Sequence, residues 1–295
     1  MPDHDRLAEQ FERHRPHMRA VAYRMLGSHA ESEDAVQETW IRLSRSDADE
    51  VANLAGWLTT VIGRICLNIL RSRAARPEDP VGVHLPDVVV GQEPSNGPED
   101  EALLSDSVSL ALLIVLDTLA PAERVSFVLH DMFHLPFDEI AAVVGKTPAA
   151  ARKLASRGRR RVQEEREADS GGDFATRRTL VNAFFAAARN GDLDGLVAVL
   201  DPDVELRADG GPALAAATAS IRGARPVAGR ASLFRQGGVA VFPVLVNGVP
   251  GALVTRDGAP TSVMGFSVRG GRITRIQILL DPERVGAVDF AAFTA

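Results

Sequence analysis

Apolar residues recur at helical spacing through residues 7–75, so this stretch reads as helix throughout. Phe11, Val21, Ala22, Met25 and Leu26 form one face, and Gly27-Ser28 breaks it. In the next segment, AESEDAVQETWIRL, Ala35, Val36, Thr39, Trp40 and Leu43 lie on one side, with Glu33, Asp34, Gln37 and Glu38 opposite. A polar loop, SRSDADEVAN, leads to a helix over Leu54–Arg73. Its core face is Trp57, Leu58, Val61, Ile62, Ile65, Cys66 and Ile69, and its other face carries Arg64, Asn68, Arg71 and Arg73. Pro77, Pro80, Pro86, Pro94 and Pro98 then interrupt any periodicity and predict a linker. Residues 101–165 return to helix, with Leu103, Leu110, Leu113, Leu116 and Leu119 before Pro121, and Val125, Val128, Leu129 and Met132 after it. From about Asp173 the period changes. Two amphipathic helices, Phe174–Asn190 and Leu193–Leu200, precede the strand-like runs VELRAD, GGVAVFPVLVNG, VPGALVTRDG, TSVMGFSVRGG and RITRIQILLD. Asn247-Gly248, Asp257-Gly258 and Gly270-Gly271 separate the later runs, and such pairs mark hairpins. Helices followed by a meander predict an α+β domain with one curved antiparallel sheet.

The stretch PFDEIAAVVGKTPAAARKLASRGRRR, Pro136 to Arg161, has a sharper signature. An apolar-periodic helix (Ile140, Ala141, Val143, Val144) stops at Gly145, and a second begins behind Thr147 with Pro148 at its first position. The second helix carries Arg152, Lys153, Arg157, Arg159, Arg160 and Arg161. Turn, cap and arginine cluster together form a helix-turn-helix with a basic recognition helix, the geometry that enters the DNA major groove. Small residues at its start allow close approach, placing Thr147, Ala149, Ala150, Arg152, Lys153, Ser156 and Arg157 against DNA, with Arg159 to Arg161 suited to phosphate.

The net charge of −6 hides a segregation. Residues 77–107 carry Glu78, Asp79, Asp87, Glu93, Glu99, Asp100, Glu101 and Asp106 without a Lys or Arg. One basic cluster (Arg64, Arg71, Arg73, Arg76) precedes this segment and the recognition helix follows it. This suggests two DNA contacts joined by a non-binding linker, which serves as a solvated tether or rests on a basic site as a competitor. The only cysteine, Cys66, excludes an intramolecular disulfide and a cysteine-based zinc site and reads as a core residue. Neither a metal nor a cofactor is expected. The longest apolar run, Leu110 to Leu116, is far short of a membrane span, and the charged N-terminus lacks an apolar signal core, so the expected location is cytoplasmic with no membrane contact.

Residues 173–295 contain no His, Tyr, Cys, Lys or Trp, which leaves Asp or Glu alone for acid–base chemistry. Asp209, with Glu205 and Arg207 beside it, is the one plausible base, but before Gly210-Gly211 it also reads simply as a turn residue. Phe184, Phe185, Phe234, Phe242, Met264 and Phe266 either fill the core or line a dry cavity for a small apolar ligand.

These segments, in this order, resemble bacterial sigma factors of the extracytoplasmic-function (ECF) type. AESEDAVQETWIRL resembles the region-2 helix that docks on the clamp of RNA polymerase, and NLAGWLTTVIGRICLNILRSRAAR the following helix, which faces the promoter −10 element. LDTLAPAERVSFVLHDMFHLPFDEIAAVVGKTPAAARKLASRGRRRV resembles region 4, which reads the −35 element. The remainder, from RTLVNAFFAAARNGDLDGLVAVLDPDVELRADGG onward, resembles the cone-shaped SnoaL-like fold, found in one sigma subgroup as an extension in place of a separate anti-sigma factor. The family's motifs appear here as Leu85, Pro86 and Asp87 in the linker, as Asp209-Gly210-Gly211, and as Asp281, Pro282, Glu283, Arg284 and Val285. The linker motif lacks the family's Trp and second Pro, and the C-terminal motif starts with Asp rather than Asn.

The resemblance implies a multidomain chain: an all-α region 2 over 1–76, an acidic linker over 77–107, an all-α region 4 over 108–168 and a SnoaL-like α+β domain over 173–295. It implies core RNA polymerase and promoter DNA as partners, with activity tuned by the extension. Asp34, Gln37, Glu38, Trp40 and Arg42 would meet polymerase, although Trp40 is equally a core candidate. Asn53, Arg64, Asn68, Arg71 and Arg73 would serve the −10 element, the loop Ser44 to Asn53 would hold a flipped base, and Arg160 joins the −35 set. Arg71 and Arg73 also suit the helix C-terminal dipole. Two alternatives remain: a ligand-sensing regulator that binds duplex DNA without polymerase, and a SnoaL-like enzyme dependent on Asp209.

Overall fold

The computed structural model describes residues 2–46, 53–75, 84–92, 109–168, 172–235, 237–288, 290 and 293. The chain divides into two compact units, Met1–Glu78 with Leu113–Glu164, and Asp79–Leu112 with Glu165–Ala295.

In the first unit, α1 (Pro2–Leu26), α2 (His29–Ser44) and α3 (Leu54–Ala74) pack as a bundle. Gly27, at φ +69°, turns the chain out of α1, and the Ser28 hydroxyl accepts the Glu31 N–H at 3.4 Å to start α2. The predicted apolar faces meet inside: Met18, Val21 and Met25 with Ala35, Val36 and Leu43, and with Leu58, Ile62 and Cys66. By length and composition α3 passes for a membrane span, contrary to the expectation that no segment would. Half of it is buried within the protein, and Arg64, Asn68 and Arg71 remain exposed along it.

The same unit holds α5 (Pro121–Phe127), a single π-type turn (Val128–Met132), α6 (Phe137–Val144) and most of α7 (Pro148–Ala168). The preceding helix, α4 (Leu110–Asp117), leads into it. Gly145 adopts φ +68°, which closes α6 in the left-handed conformation, and Thr147 caps α7 by accepting the Ala150 N–H at 3.3 Å. The α6–α7 pair is thus the predicted helix-turn-helix. It packs on α3 where Gly63 leaves room: a Cβ there would lie 3.1 Å from Val143 and 3.4 Å from Leu129.

The second unit contains α8 (Phe174–Asn190), α9 (Leu193–Val199), α10 (Ala224–Arg230) and α11 (Pro282–Gly286) around a seven-stranded sheet. Its strands are β1 (Val90–Gly91), β2 (Leu200–Asp209), β3 (Ala219–Arg222), β4 (Val239–Val246), β5 (Val249–Arg256), β6 (Ala259–Arg269) and β7 (Arg272–Leu279). Their order is β1-β4-β5-β6-β7-β2-β3. The three expected hairpins form, each with positive φ at both turn residues. The sheet is not wholly antiparallel as expected, because β2 runs parallel to β7. No hairpin joins these two strands, so nothing local sets their direction. Strand β3 and helix α10 were not legible, being short and interrupted by Gly223 and Pro226. Helices α8, α9 and α10 cover one face of the sheet, where Phe184, Phe185, Leu206, Val254, Met264, Phe266 and Ile276 form the core. This is the cone-like α+β domain that the resemblance implied.

Cys66 is fully buried on α3, and burial pushes its thiol pKa up to about 12. A raised thiol pKa leaves the neutral, unreactive form in place throughout the physiological range. Cys66 should therefore resist an aromatic disulfide reagent at pH 8 in the native protein and react fully in denaturant. Stoichiometric labelling of the native chain at the rate of a free thiol would contradict this packing.

Candidate functional site

The recognition helix presents Thr147, Ala149, Arg152, Lys153, Ser156, Arg157 and Arg160 to solvent, while Ala150 is half-buried. Ala151, Ala155 and Val162 turn inward at helical spacing, which fixes the outward face. Arg152 is held over the Phe137 ring at 5.1 Å, so its guanidinium is steered before any DNA arrives. The other arginines differ in use. Arg157 lies 3.6 Å from Glu123, Arg159 donates to Asp131 at 2.6 Å, and Arg161 donates to the Thr118 carbonyl at 3.1 Å. Of the arginines read as phosphate contacts, Arg159 and Arg161 thus also tie α7 to its own domain, and Arg160 lies 3.9 Å from Glu164.

On α2, Asp34, Gln37 and Arg42 are exposed, Glu38 pairs with Arg42 at 3.0 Å, and Trp40 is half-buried with its ring 5.0 Å from that of Phe11. Trp40 is therefore both core and surface. On α3, Asn68 and Arg71 are exposed. Asn53 caps the helix by accepting the Gly56 N–H at 3.1 Å. Arg73 pairs with Glu31 and donates to the Leu26 carbonyl at 2.9 Å, which ties α3 to the bundle. Arg64 donates through Nε and Nη2 to the Ala142 carbonyl on α6, at 3.3 and 3.0 Å. Of the loop Ser44 to Asn53, expected to hold a flipped base, Asp47 to Ala52 lie outside the described residues, as do Arg76 and all of the acidic linker residues except Asp87.

The linker motif, the Asp209-Gly210-Gly211 turn and the C-terminal motif meet at one point in the second unit. Asp209, at the end of β2, is buried and accepts the Leu85 N–H at 2.8 Å, the Gly211 N–H at 3.0 Å and the Arg284 guanidinium at 2.9 Å. Arg284 also donates to Asp87 and to the Leu85 carbonyl, each at 2.5 Å. His84 Nδ1 lies 3.5 Å from the same Asp209 carboxylate. Leu85 and Pro86 are buried. Asp281 caps α11 by accepting the Glu283 N–H at 3.0 Å, and Pro282 occupies its first position. Gly211, at φ +58°, has no room for a side chain, because a Cβ would overlap the Asp281 carboxylate. Beyond the motif, Val90 and Gly91 pair with β4, and the Asn247 side chain accepts the Val89 N–H at 3.1 Å. Residues 84–92 are thus part of the extension's fold, despite the departures from the family's motif.

A cavity of about 300 Å3 lies inside the extension. Phe184, Phe234 and Met264 line it, as expected of a ligand cavity. Phe185 and Phe266 are packed into the core cluster instead, and Phe242 faces the other side of the sheet, edge-on to Phe290 at 5.8 Å. Among the described residues no Asp, Glu, His or Tyr lines the cavity, and Asp209 is not among its walls. The sequence reasoning missed Arg178, which reaches from α8 to the Gly251 and Val244 carbonyls at 3.0 Å each, with its pKa lowered to about 10 by burial. An arginine on an amphipathic helix carries no sequence signal of such a role.

Residues 10–76 match Sigma-70 region 2 and residues 109–162 match Sigma-70 region 4. A probable ECF RNA polymerase sigma factor, SigI of Mycobacterium tuberculosis, is 37% identical over 285 residues, covering 96% of each chain. The ECF RNA polymerase sigma factor SigJ of the same organism is 38% identical over 274 residues, covering 91% of this chain and 86% of that one. The crystal structure of SigJ superposes with a TM-score of 0.70 at 33% identity, covering 96% of this chain and 99% of that one. With both sigma regions matched and the similarity running through the extension, the chain belongs to the ECF RNA polymerase sigma factors, which direct transcription initiation from promoters.

Proposed function

We propose that this sigma factor binds core polymerase through the exposed face of α2, reads the −10 element from α3 and the −35 element from α7, and is tuned by its own SnoaL-like extension in place of a separate anti-sigma factor. It acts in the cytoplasm, where it meets polymerase and promoter. The proposed polymerase contacts are Asp34, Gln37, Glu38, Trp40 and Arg42; an acidic, exposed face with one aromatic suits a large partner surface. At the −10 element we assign Asn53, Arg64, Asn68, Arg71 and Arg73. At the −35 element we assign Thr147, Ala149, Ala150, Arg152, Lys153, Ser156, Arg157 and Arg160. Two modest DNA contacts on one chain reinforce each other through effective concentration.

The observation that carries the regulatory reading is the Asp209–Arg284 ion pair clasping Leu85 and Asp87. It joins the segment between the sigma regions to α11 of the extension. Any state of the extension that alters Asp209 or Arg284 alters the tether between the two DNA-binding regions. The contact of Arg64 with Ala142 supports a resting arrangement in which one −10 residue is occupied by region 4. We assign 1–76 to region 2, 77–107 to the linker, whose residues 84–92 are built into the extension's fold, 108–168 to region 4 and 173–295 to the extension, whose cavity takes a small ligand with an apolar body. Sigma factors are not enzymes, and the cavity's lack of an acid–base residue supports a sensing role over turnover.

Deleting residues 285–295, which removes buried Val285 and the Phe290 contact with Phe242, and deleting 173–295 should each change run-off transcription with core polymerase about fivefold or more. Unchanged output from both would end the regulatory reading. Asp209→Ala leaves Arg284 with only Asp87 and the Leu85 carbonyl and strips the Leu85 and Gly211 amides of their acceptor, so it should destabilise the extension by about 3 kcal/mol in denaturant unfolding. It should also speed hydrogen exchange at the Leu85 amide, and exchange at the wild-type rate would show that the clasp does not hold the linker. Arg152→Ala should weaken binding of the holoenzyme to −35 duplex DNA by about 1–3 kcal/mol, measured by fluorescence anisotropy, without loss of polymerase affinity.

A further inference from the structure

The cavity in the extension is mostly apolar, yet its charged lining is of one sign. Arg230 and Arg256 both line it, and among the described residues no carboxylate does. Each is placed there by the period of its own element. Val227, Arg230 and Ala231 share a face of α10, and Val254 and Arg256 share a face of β5. Across the ladder from Val254 stands Ser262, a buried hydroxyl on the same wall. Phe184 and Met264, deeper in, are buried, whereas Arg230 and Arg256 are exposed, so the wall grades from apolar to cationic. Among the described residues neither guanidinium pairs with a carboxylate, unlike Arg207, which lies 3.3 Å from Glu205, or Arg284.

An apolar wall ending in two cations fits a ligand with an apolar body and an anionic head. We infer that the cavity binds a small amphipathic carboxylate, with its hydrocarbon against Phe184 and Met264 and its head between Arg230 and Arg256. The inference rests on the small-ligand reading above and adds the chemical class. At about 300 Å3 the space is at the lower end of ligand pockets, which favours a single chain or ring system. A guanidinium also binds a carboxylate by charge-assisted hydrogen bonds that a neutral head group cannot match.

The test uses the full-length protein and three probes of one chain length: decanoate, 1-decanol and decylamine, titrated by calorimetry below their aggregation thresholds. Decanoate should bind at least about tenfold more tightly than decanol, and decylamine most weakly. Arg230→Gln with Arg256→Gln should abolish the preference for decanoate and leave decanol binding unchanged, which also shows that the variant is folded. Ala231→Trp, which fills the cavity, should remove binding of both. Equal affinity of the wild type for decanoate and decanol, or a preference that survives the double substitution, overturns the anionic head group while leaving an apolar pocket. Decanoate binding that survives Ala231→Trp places the ligand elsewhere and overturns the site, and no binding of any probe overturns the small-ligand reading with it. Run-off transcription with and without decanoate separates the two claims: binding without a change in transcript leaves the site standing and removes its regulatory role.

Discussion

The carboxylate of Asp209 is the constraint around which the second unit is organised. A buried charge is costly unless several donors surround it. Here the donors come from three separated parts of the chain: the Leu85 amide, the Gly211 amide and Arg284. Satisfying one ion therefore fixes the linker, the turn after β2 and the C-terminal helix together. The backbone repeats the connection, since the Leu280 N–H donates to the Asp209 carbonyl at 2.7 Å. Gly211 is compelled by this crowding, because the space its side chain would take belongs to Asp281. The motif at 281–285, the Asp-Gly-Gly turn and the Leu-Pro-Asp of the linker are thus one structural device read at three places in the sequence.

In the first unit the packing of region 2 on region 4 is less fully satisfied. Arg124 is only 2% exposed, yet only Nη1 has a partner, Asp117 at 2.6 Å, while Nε and Nη2 have none among the described residues. Burial lowers its pKa, and its charge is felt at Cys66 on α3. A partly satisfied buried arginine offsets some of the apolar gain at Gly63, Val143 and Leu129. Separating the two regions would rehydrate Arg124 and free Arg64 from the Ala142 carbonyl. Such an interface suits the proposed function, in which the two regions engage separate promoter elements.

The parts legible in the sequence were those set by local physics. The helix-turn-helix followed from Gly145, Thr147 and Pro148, and the hairpins from Asn247-Gly248, Asp257-Gly258 and Gly270-Gly271, because each residue type is needed for its own backbone conformation. The α2 and α3 faces followed from the apolar period. Long-range choices were not legible. The parallel pairing of β2 with β7 depends on where the chain re-enters the sheet, and the placing of Phe242 on the far side of the sheet depends on the register of β4. Asp209 was weighed as a base or a turn residue. It does serve the turn, through the Gly211 amide, but its main partners lie 124 and 75 residues away, at Leu85 and Arg284. Nothing local in the sequence carries that meeting, and the departures in the linker and C-terminal motifs weighed against it.

Cavity and clasp share strand ends, which gives a physical route between them. Ala208 lines the cavity and Asp209 follows it; Leu280 lines the cavity and Asp281, the cap of α11, follows it. Leu214, a third wall residue, sets its carbonyl against Gly210. Adjacent residues of a strand point to opposite faces, so the proposed ligand, pressing on Ala208 from one side, would bear on the backbone that aims Asp209 to the other, while Leu280, just past the end of β7, is joined directly to Asp281. Proximity alone does not make such a route a switch. A ligand moves the equilibrium only as far as it prefers the clasped or the released form. The walls nearest the clasp, Leu280 and Leu214, are where that preference must arise, whereas Arg230 and Arg256 sit on α10 and β5, outside the clasp. On the proposed reading the arginines set the preference for an anionic head, while the apolar body adds affinity with each buried methylene and, where it meets Leu280 and Leu214, sets how far the linker moves.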